Sequence, residues 1–72
     1  MDSSYSTEHQ ALVERLIDAR KKSGLTQVEV AEKLNQSQSY ISKIENNQKK
    51  IEVIELKRLA KLYGVDPSKL LK

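Results

Sequence analysis

The chain of 72 residues contains no cysteine, phenylalanine or tryptophan, and its only histidine is His9. Without cysteine, the chain has neither a disulfide framework nor a thiolate metal site. One histidine cannot supply the cluster of imidazole ligands that a zinc site needs. No apolar run approaches the ~18 residues of a membrane span, and the first residues lack the basic-then-apolar layout of a secretory signal. We therefore expect a soluble, cytoplasmic protein without a membrane segment, metal, cofactor or small-molecule ligand.

Glycine and proline are also scarce, and the chain is only mildly basic. Gly24, Gly64 and Pro67 are the only such residues, and each is placed to separate two helices rather than to bend a strand. A chain of this length forms a single domain. The formal charge of +3 favours an anionic partner, but so small a surplus is common in proteins that never bind nucleic acid. The position of the positive charge is therefore more informative than its sum.

The apolar residues recur at helical spacing, so the sequence predicts an all-α fold of five helices. We expect a flexible tail at residues 1–6, followed by a domain at residues 7–72. The first helix is predicted to begin with Thr7 as its N-cap and to end near Lys22. Later starts are marked by a capping box at Thr26, by Ser37, by a weaker cap at Glu52 and by Asp66 before a proline.

The same periodicity predicts which side chains of the later helices face the core. Ile41 and Ile44 should point inward from the third helix. The inward sets of its neighbours are Val28, Ala31 and Leu34 in the second helix, and Ile54, Leu56, Leu59, Ala60 and Leu62 in the fourth.

The most informative stretch is the pair of short helices between Thr26 and Glu45, separated only by residues 35–37. The small side chain of Ala31 lets the two helices pack closely, and Asn35 tolerates the left-handed turn between them. With two isoleucines of the third helix inside, the opposite face is polar and lacks acidic residues through Lys43. Glutamine side chains hydrogen-bond to the edge of adenine, lysine to guanine, and serine to several base acceptors. The predicted base-reading residues are therefore Gln38, Ser39, Ser42 and Lys43.

The stretch GLTQVEVAEKLNQSQSYISKIENNQ, residues 24–48, resembles the helix-turn-helix core of the Cro and lambda-repressor-like family of XRE-type regulators. The likeness continues through RLAKLYGVDPSKLL at residues 58–71. The resemblance implies a compact five-helix fold with the helix-turn-helix in helices 2 and 3. It also implies a sequence-specific transcriptional regulator, a repressor, that binds double-stranded operator DNA. Within the fold, it implies a pair between Arg20 and Glu45.

The resemblance also separates residues that read bases from residues that contact the DNA backbone. Positions matching Gln38, Ser39 and Lys43 read bases in the family, while the glutamine matching Gln27 touches the sugar-phosphate backbone. Lysines 49 and 50 follow the third helix directly, where the duplex backbone would run. The predicted backbone set is Thr26, Gln27, Ser37, Tyr40, Asn46, Lys49 and Lys50.

A domain this small makes few DNA contacts, so we expect a homodimer that reads a palindromic operator with half-sites ~34 Å apart. The apolar residues predicted to form the dimer surface are Ile51, Val53, Val65, Leu70 and Leu71.

Several alternatives remain at this stage. Polar residues at this spacing are often only a solvated helix face, and His9 is more simply a surface residue than a ligand. The chain could also be an antitoxin or restriction–modification controller with autoregulation, or a helix-turn-helix module that docks a protein partner. Catalysis is not expected, because no carboxylate is placed beside a nucleophile or apolar pocket and the chain is too small to build a cleft.

Overall fold

The computed structural model describes residues 6–71, and these fold into five α-helices without a strand among them. The helices are α1 (Thr7–Lys22), α2 (Gln27–Lys33), α3 (Gln38–Glu45), α4 (Val53–Tyr63) and α5 (Pro67–Leu70). The predicted all-α class and helix order are confirmed. Within the described residues, no helix has the length and apolar character that crossing a membrane requires.

Four of the five helices have the predicted N-cap, with Glu52 as the cap of α4, and the first differs by one residue. Thr26 and Glu29 form the predicted capping box, with each side chain accepting the other residue's backbone N–H at 3.1 and 2.9 Å. Ser37 caps α3 and Asp66 caps α5. At α1 the N-cap is Ser6, whose hydroxyl accepts the N–H of the residue three positions on at 3.1 Å. The prediction of Thr7 as the cap is therefore wrong, and the rest of the predicted tail, residues 1–5, lies outside the described residues.

The ends of α2 and α3 use asparagine where glycine is more usual. Asn35 and Asn47 both adopt a left-handed φ of 58°. Just past each of them, a backbone N–H returns to a carbonyl oxygen in the helix, from Gln36 to Ala31 and from Gln48 to Lys43, both at 2.8 Å. This is the bond that closes a helix end at a left-handed residue, and asparagine tolerates that conformation better than most side chains. The turn at Asn35 follows the prediction, whereas Asn47 was not anticipated.

The core confirms the predicted inward face of α3 and corrects that of α2. Ile41 and Ile44 are each 1% exposed, and Ala31 is 3% exposed. Val28 is 52% exposed, so its predicted place in the core is wrong, and Val30 is buried instead. The two valines are two positions apart, or ~200° around a helix, and only one of them can therefore face the core.

The core face of α4 also differs from the prediction at its ends. Leu56, Leu59 and Ala60 are buried as expected, but Ile54 is 59% exposed. Leu62 is only half-buried, and the next residue, Tyr63, is buried in its place. Buried positions 56, 59, 60 and 63 recur every three to four residues, so they form one stripe along the helix that excludes Ile54.

Two side chains of α1 attach it to later parts of the chain. The His9 Nε2 accepts the backbone N–H of Ile51 at 3.1 Å, and a guanidinium nitrogen of Arg15 donates to the carbonyl oxygen of Leu70 at 3.1 Å. His9 is half-buried, so it is not the simple surface residue that we expected. It satisfies a backbone amide of the α3–α4 connector and so holds that connector against α1.

Candidate nucleic-acid interface

The outer face of α3 is polar and accessible. Gln38, Ser39 and Lys43 are exposed, and Ser42 is half-buried with its hydroxyl accepting a hydrogen bond from the Asn46 amide at 3.1 Å. The first turn of α3 contains no acidic residue. The predicted base-reading residues therefore share one helix surface, with Gln38 nearest the amino end.

Gln38 is the outermost member of a hydrogen-bonded chain that runs into the domain. Its amide nitrogen donates to the Gln27 side-chain oxygen at 2.8 Å, and the Gln27 amide nitrogen donates to the Glu45 carboxylate at 2.9 Å. Gln27 lies at the start of α2, so the chain joins the first turns of α2 and α3. The Gln38 amide is therefore held by Gln27 of α2, which is held in turn by Glu45 at the last residue of α3.

The inner end of this chain is a nearly buried ion pair. Arg20 donates two hydrogen bonds to the Glu45 carboxylate, at 2.7 and 3.1 Å, and a third to the carbonyl oxygen of Leu25 at 2.9 Å. The exposed fractions of the Arg20 and Glu45 side chains are 12% and 7%. Burial, followed by the nearby Glu45 charge, raises the pKa of the Tyr63 hydroxyl to about 12. The paired geometry is strong and directional, and it ties α1 to α3.

A second carboxylate cluster joins α3 to the start of α4. The Glu55 side chain on α4 accepts hydrogen bonds from the Tyr40 hydroxyl, from the Lys49 ammonium at 2.9 Å and from the backbone N–H of Glu52 at 2.8 Å. The Lys49 nitrogen also lies 2.8 Å from the other Glu55 oxygen and 5.7 Å from the centre of the Tyr40 ring. The cluster thus connects α3, the α3–α4 connector and α4.

The environment of this cluster shifts two pKa values in opposite directions. Burial alone would raise the pKa of the Glu55 carboxyl, but the hydrogen bonds from Lys49, Tyr40 and the Glu52 amide outweigh burial and lower it. Burial, and then the hydrogen bond to Glu55, raise the pKa of the Tyr40 hydroxyl well above its ordinary value. At neutral pH the donor is therefore protonated and the acceptor is charged.

The remaining predicted backbone residues are exposed. Thr26 and Ser37 are exposed caps whose hydroxyls already accept backbone N–H groups, and Asn46 and Lys50 are exposed. The predictions missed the role of Glu55. Its position three residues after Glu52 does predict a carboxylate that returns to the helix start, but nothing local indicates Tyr40 as a partner. In the described part of the chain, no group of three or more histidine, cysteine, aspartate or glutamate residues could hold a metal ion.

Comparisons with known proteins agree with this geometry. A family model described as helix-turn-helix matches residues 16–70. The chain is similar to the solved structure of an XRE-family like protein from Pseudomonas syringae pv. tomato strain DC3000, with a TM-score of 0.83 and 41% sequence identity. The match covers 89% of this chain and 78% of that chain. No curated protein matches the chain at a significant level.

The family model spans α2 and α3 and most of the helices that support them. The Pseudomonas structure extends the similarity to nearly the whole described fold. The resemblance drawn from residues 24–48 and 58–71 is thus confirmed, and the chain belongs to the XRE-type family of helix-turn-helix DNA-binding regulators.

Proposed function

We propose that this protein is a sequence-specific transcriptional repressor that inserts α3 into the major groove of operator DNA. The observation that carries the proposal is the hydrogen-bonded chain from Arg20 through Glu45 and Gln27 to Gln38. A solvated helix face needs no such support, whereas a residue that discriminates bases must have its polar atoms fixed before it meets them.

The free polar atoms of Gln38 suit adenine. One of its two amide hydrogens is donated to Gln27, which leaves the other amide hydrogen and the carbonyl oxygen. One donor beside one acceptor complements the exposed edge of adenine in the major groove. Ser39, Ser42 and Lys43 lie farther along the same face, where the lysine suits guanine.

The backbone contacts follow from the surroundings of α3. The start of α3 has no acidic residue in its first turn, and the partial positive charge of a helix start favours a phosphate. Lys50 is exposed beyond the end of α3 and adds positive charge. The proposed backbone contacts are Thr26, Gln27, Ser37, Asn46 and Lys50, while Tyr40 and Lys49 are already engaged with Glu55.

The length of α3 supports a homodimer. Its eight residues extend ~12 Å, which spans only three to four base pairs at ~3.4 Å each. Of the residues predicted for the dimer surface, Ile51 and Leu70 are buried and Val65 is half-buried, so they are not available. Val53 and Leu71 are 66% and 60% exposed and line a shared apolar groove of about 220 Å³. We place the dimer contact at this groove and expect a palindromic operator with half-sites ~34 Å apart.

The test is a selection from random duplexes with the purified chain, followed by titration of the recovered sequences at two salt concentrations. A palindrome with one-turn spacing and a steep salt slope, about −0.9 per phosphate contact, is the expected result. Lys43→Ala should relax the sequence preference, and Lys50→Ala should weaken all duplexes equally. Salt-sensitive binding without a motif would contradict sequence specificity. No binding at low salt would favour a protein-docking module instead.

A further inference from the structure

We propose that Glu55 is a positioning residue that keeps the Tyr40 hydroxyl away from DNA and partly masks the charge of Lys49. This inference rests on the proposed function, because it concerns contacts with the phosphate backbone. It reassigns two residues of the predicted backbone set on the basis of a cluster that the sequence does not reveal.

The argument begins with the number of available protons. A tyrosine hydroxyl has one proton to donate, and Tyr40 donates it to Glu55. A phosphate offers only acceptors, so Tyr40 cannot donate to it without giving up the carboxylate. Lys49 has three protons, and its Nζ lies 2.9 and 2.8 Å from the two Glu55 oxygens and 3.3 Å from the carbonyl oxygen of Lys50. At most one proton of Lys49 therefore remains for a phosphate.

The Glu55 carboxylate is held by several hydrogen bonds and is poorly accessible to water. Both Glu55 oxygens are occupied, one by Lys49 and the Glu52 N–H, and the other by Lys49 and the Tyr40 hydroxyl. The Glu55 side chain is only 16% exposed, so water competes poorly for these positions. In the free protein, the donors of Tyr40 and Lys49 are therefore already bonded to Glu55 before any DNA arrives.

The charges lead to the same conclusion. The Lys49 ammonium lies 2.8 Å from a carboxylate oxygen, and the Lys49 side chain is 33% exposed. Lys50 is exposed and forms no ion pair with any described residue. A phosphate near Lys49 also meets the negative charge of Glu55, which offsets much of the attraction. Lys50 should therefore supply more phosphate affinity than Lys49, although the two are adjacent in the sequence.

The decisive variant is Glu55→Gln, which keeps the shape of the side chain and an oxygen for the Glu52 amide. We expect it to bind every duplex about threefold to tenfold more tightly at 50 mM salt, because Lys49 loses its competing partner. The salt slope should steepen by about 0.9, the value of one added phosphate contact. Tyr40→Phe should change DNA affinity by less than about twofold, since the hydroxyl is not used on DNA.

Anisotropy titrations of the full chain on the selected duplex and on an unrelated duplex, at 50 and 200 mM salt, measure these effects. Glu14→Gln is the matched control, because it makes the same charge change at an exposed position on α1. An equal gain in the two glutamine variants would overturn the inference, since only net charge would then matter. A tenfold loss in Tyr40→Phe, with circular dichroism showing a folded chain, would also overturn it.

A second comparison gives an answer even if Glu55→Gln fails to fold. Lys50→Met should weaken binding more than the double variant Lys49→Met, Glu55→Met, which removes two opposite charges together, and the reverse order would contradict the masking of Lys49. If the unmodified chain binds no duplex at 50 mM salt, the proposed function itself fails and the inference falls with it. Binding by the unmodified chain with the wrong order of variants rejects the inference alone.

Discussion

Two carboxylate clusters contact α3, and their similar hydrogen bonds have opposite effects on the side chains that they hold. Glu45 gathers Arg20 and Gln27, and the chain continues outward to Gln38 on the exposed face. Glu55 accepts hydrogen bonds from Tyr40 and Lys49, and both of these donors are half-buried. In the proposed complex, the first cluster supports a polar group that reads the groove, whereas the second withholds polar groups from the DNA. An exposed position next to α3 is therefore not by itself a contact with DNA.

The three ion pairs found among the described residues differ in how far their side chains are exposed to water. Arg20–Glu45 is 12% and 7% exposed, Lys49–Glu55 is 33% and 16% exposed, and Lys22–Asp18 on α1 is 78% and 64% exposed. Water screens a charge pair more effectively as exposure rises, so the cost of breaking each pair should fall in that order.

The largest effect is expected for Arg20→Met. The substitution leaves the Glu45 carboxylate nearly buried without its cation, and it also removes the donor to the Leu25 carbonyl. The free energy of unfolding should fall by ~3–5 kcal/mol. Urea denaturation followed by circular dichroism measures the loss, with Lys21→Met at the exposed neighbouring position as the control. A loss no greater than that of the control would remove the distinction between the buried pair and the others.

Glu55→Ala should have the next largest effect. Its removal leaves the Tyr40 hydroxyl, the Lys49 ammonium and the Glu52 amide without their acceptor, at a cost of ~1–3 kcal/mol. Combining it with Tyr40→Phe should cost less than the sum of the single changes, because both remove the same hydrogen bond. Urea unfolding of the four chains in this cycle provides the measurement, and strict additivity would mean that the two side chains are not coupled.

A smaller effect on stability, but a specific effect on recognition, is expected for Gln27→Ala. It breaks the link between Gln38 and Glu45, with a loss of ~1 kcal/mol in the free energy of unfolding. Discrimination for adenine should fall about threefold to tenfold, and Gln38→Ala should lose at least as much. Titrations on duplexes that differ at one adenine test this. Unchanged discrimination in Gln27→Ala would show that Gln38 needs no support.

The smallest effect is expected for Lys22→Ala. Its partner Asp18 lies one helical turn away, and both side chains are largely in water. The change in the free energy of unfolding should stay below ~0.5 kcal/mol, as measured by the same denaturation assay. A loss as large as that of Glu55→Ala would break the ranking by exposure.

Sequence patterns predicted the parts of this fold that depend on near neighbours. The capping box at Thr26 and the left-handed turn at Asn35 each need only a few adjacent residues. The choice between Val28 and Val30 was missed, because a helix as short as α2 shows too little periodicity to fix its inner face.

Long-range contacts were predicted only where a family pattern supplied them. The pair between Arg20 and Glu45 spans 25 residues and came from the resemblance rather than from local spacing. The bond between His9 and Ile51 spans 42 residues and had no such guide. The Glu55 cluster was missed for the same reason, and it changes the interpretation of the site more than any other contact.

The contact between Tyr40 and Glu55 also gives the domain two vulnerable extremes of pH. The pKa of the Glu55 carboxyl lies below its ordinary value of 4.5, so its contribution to stability is complete above that value and is lost as acid protonates it. The pKa of the Tyr40 hydroxyl lies above its ordinary value of 10.0, so its contribution is complete below that value and declines in stronger alkali. Acid removes the acceptor, and alkali removes the donor. Between these extremes the contact is intact, so the Tyr40 hydroxyl remains bonded to Glu55 throughout the neutral range.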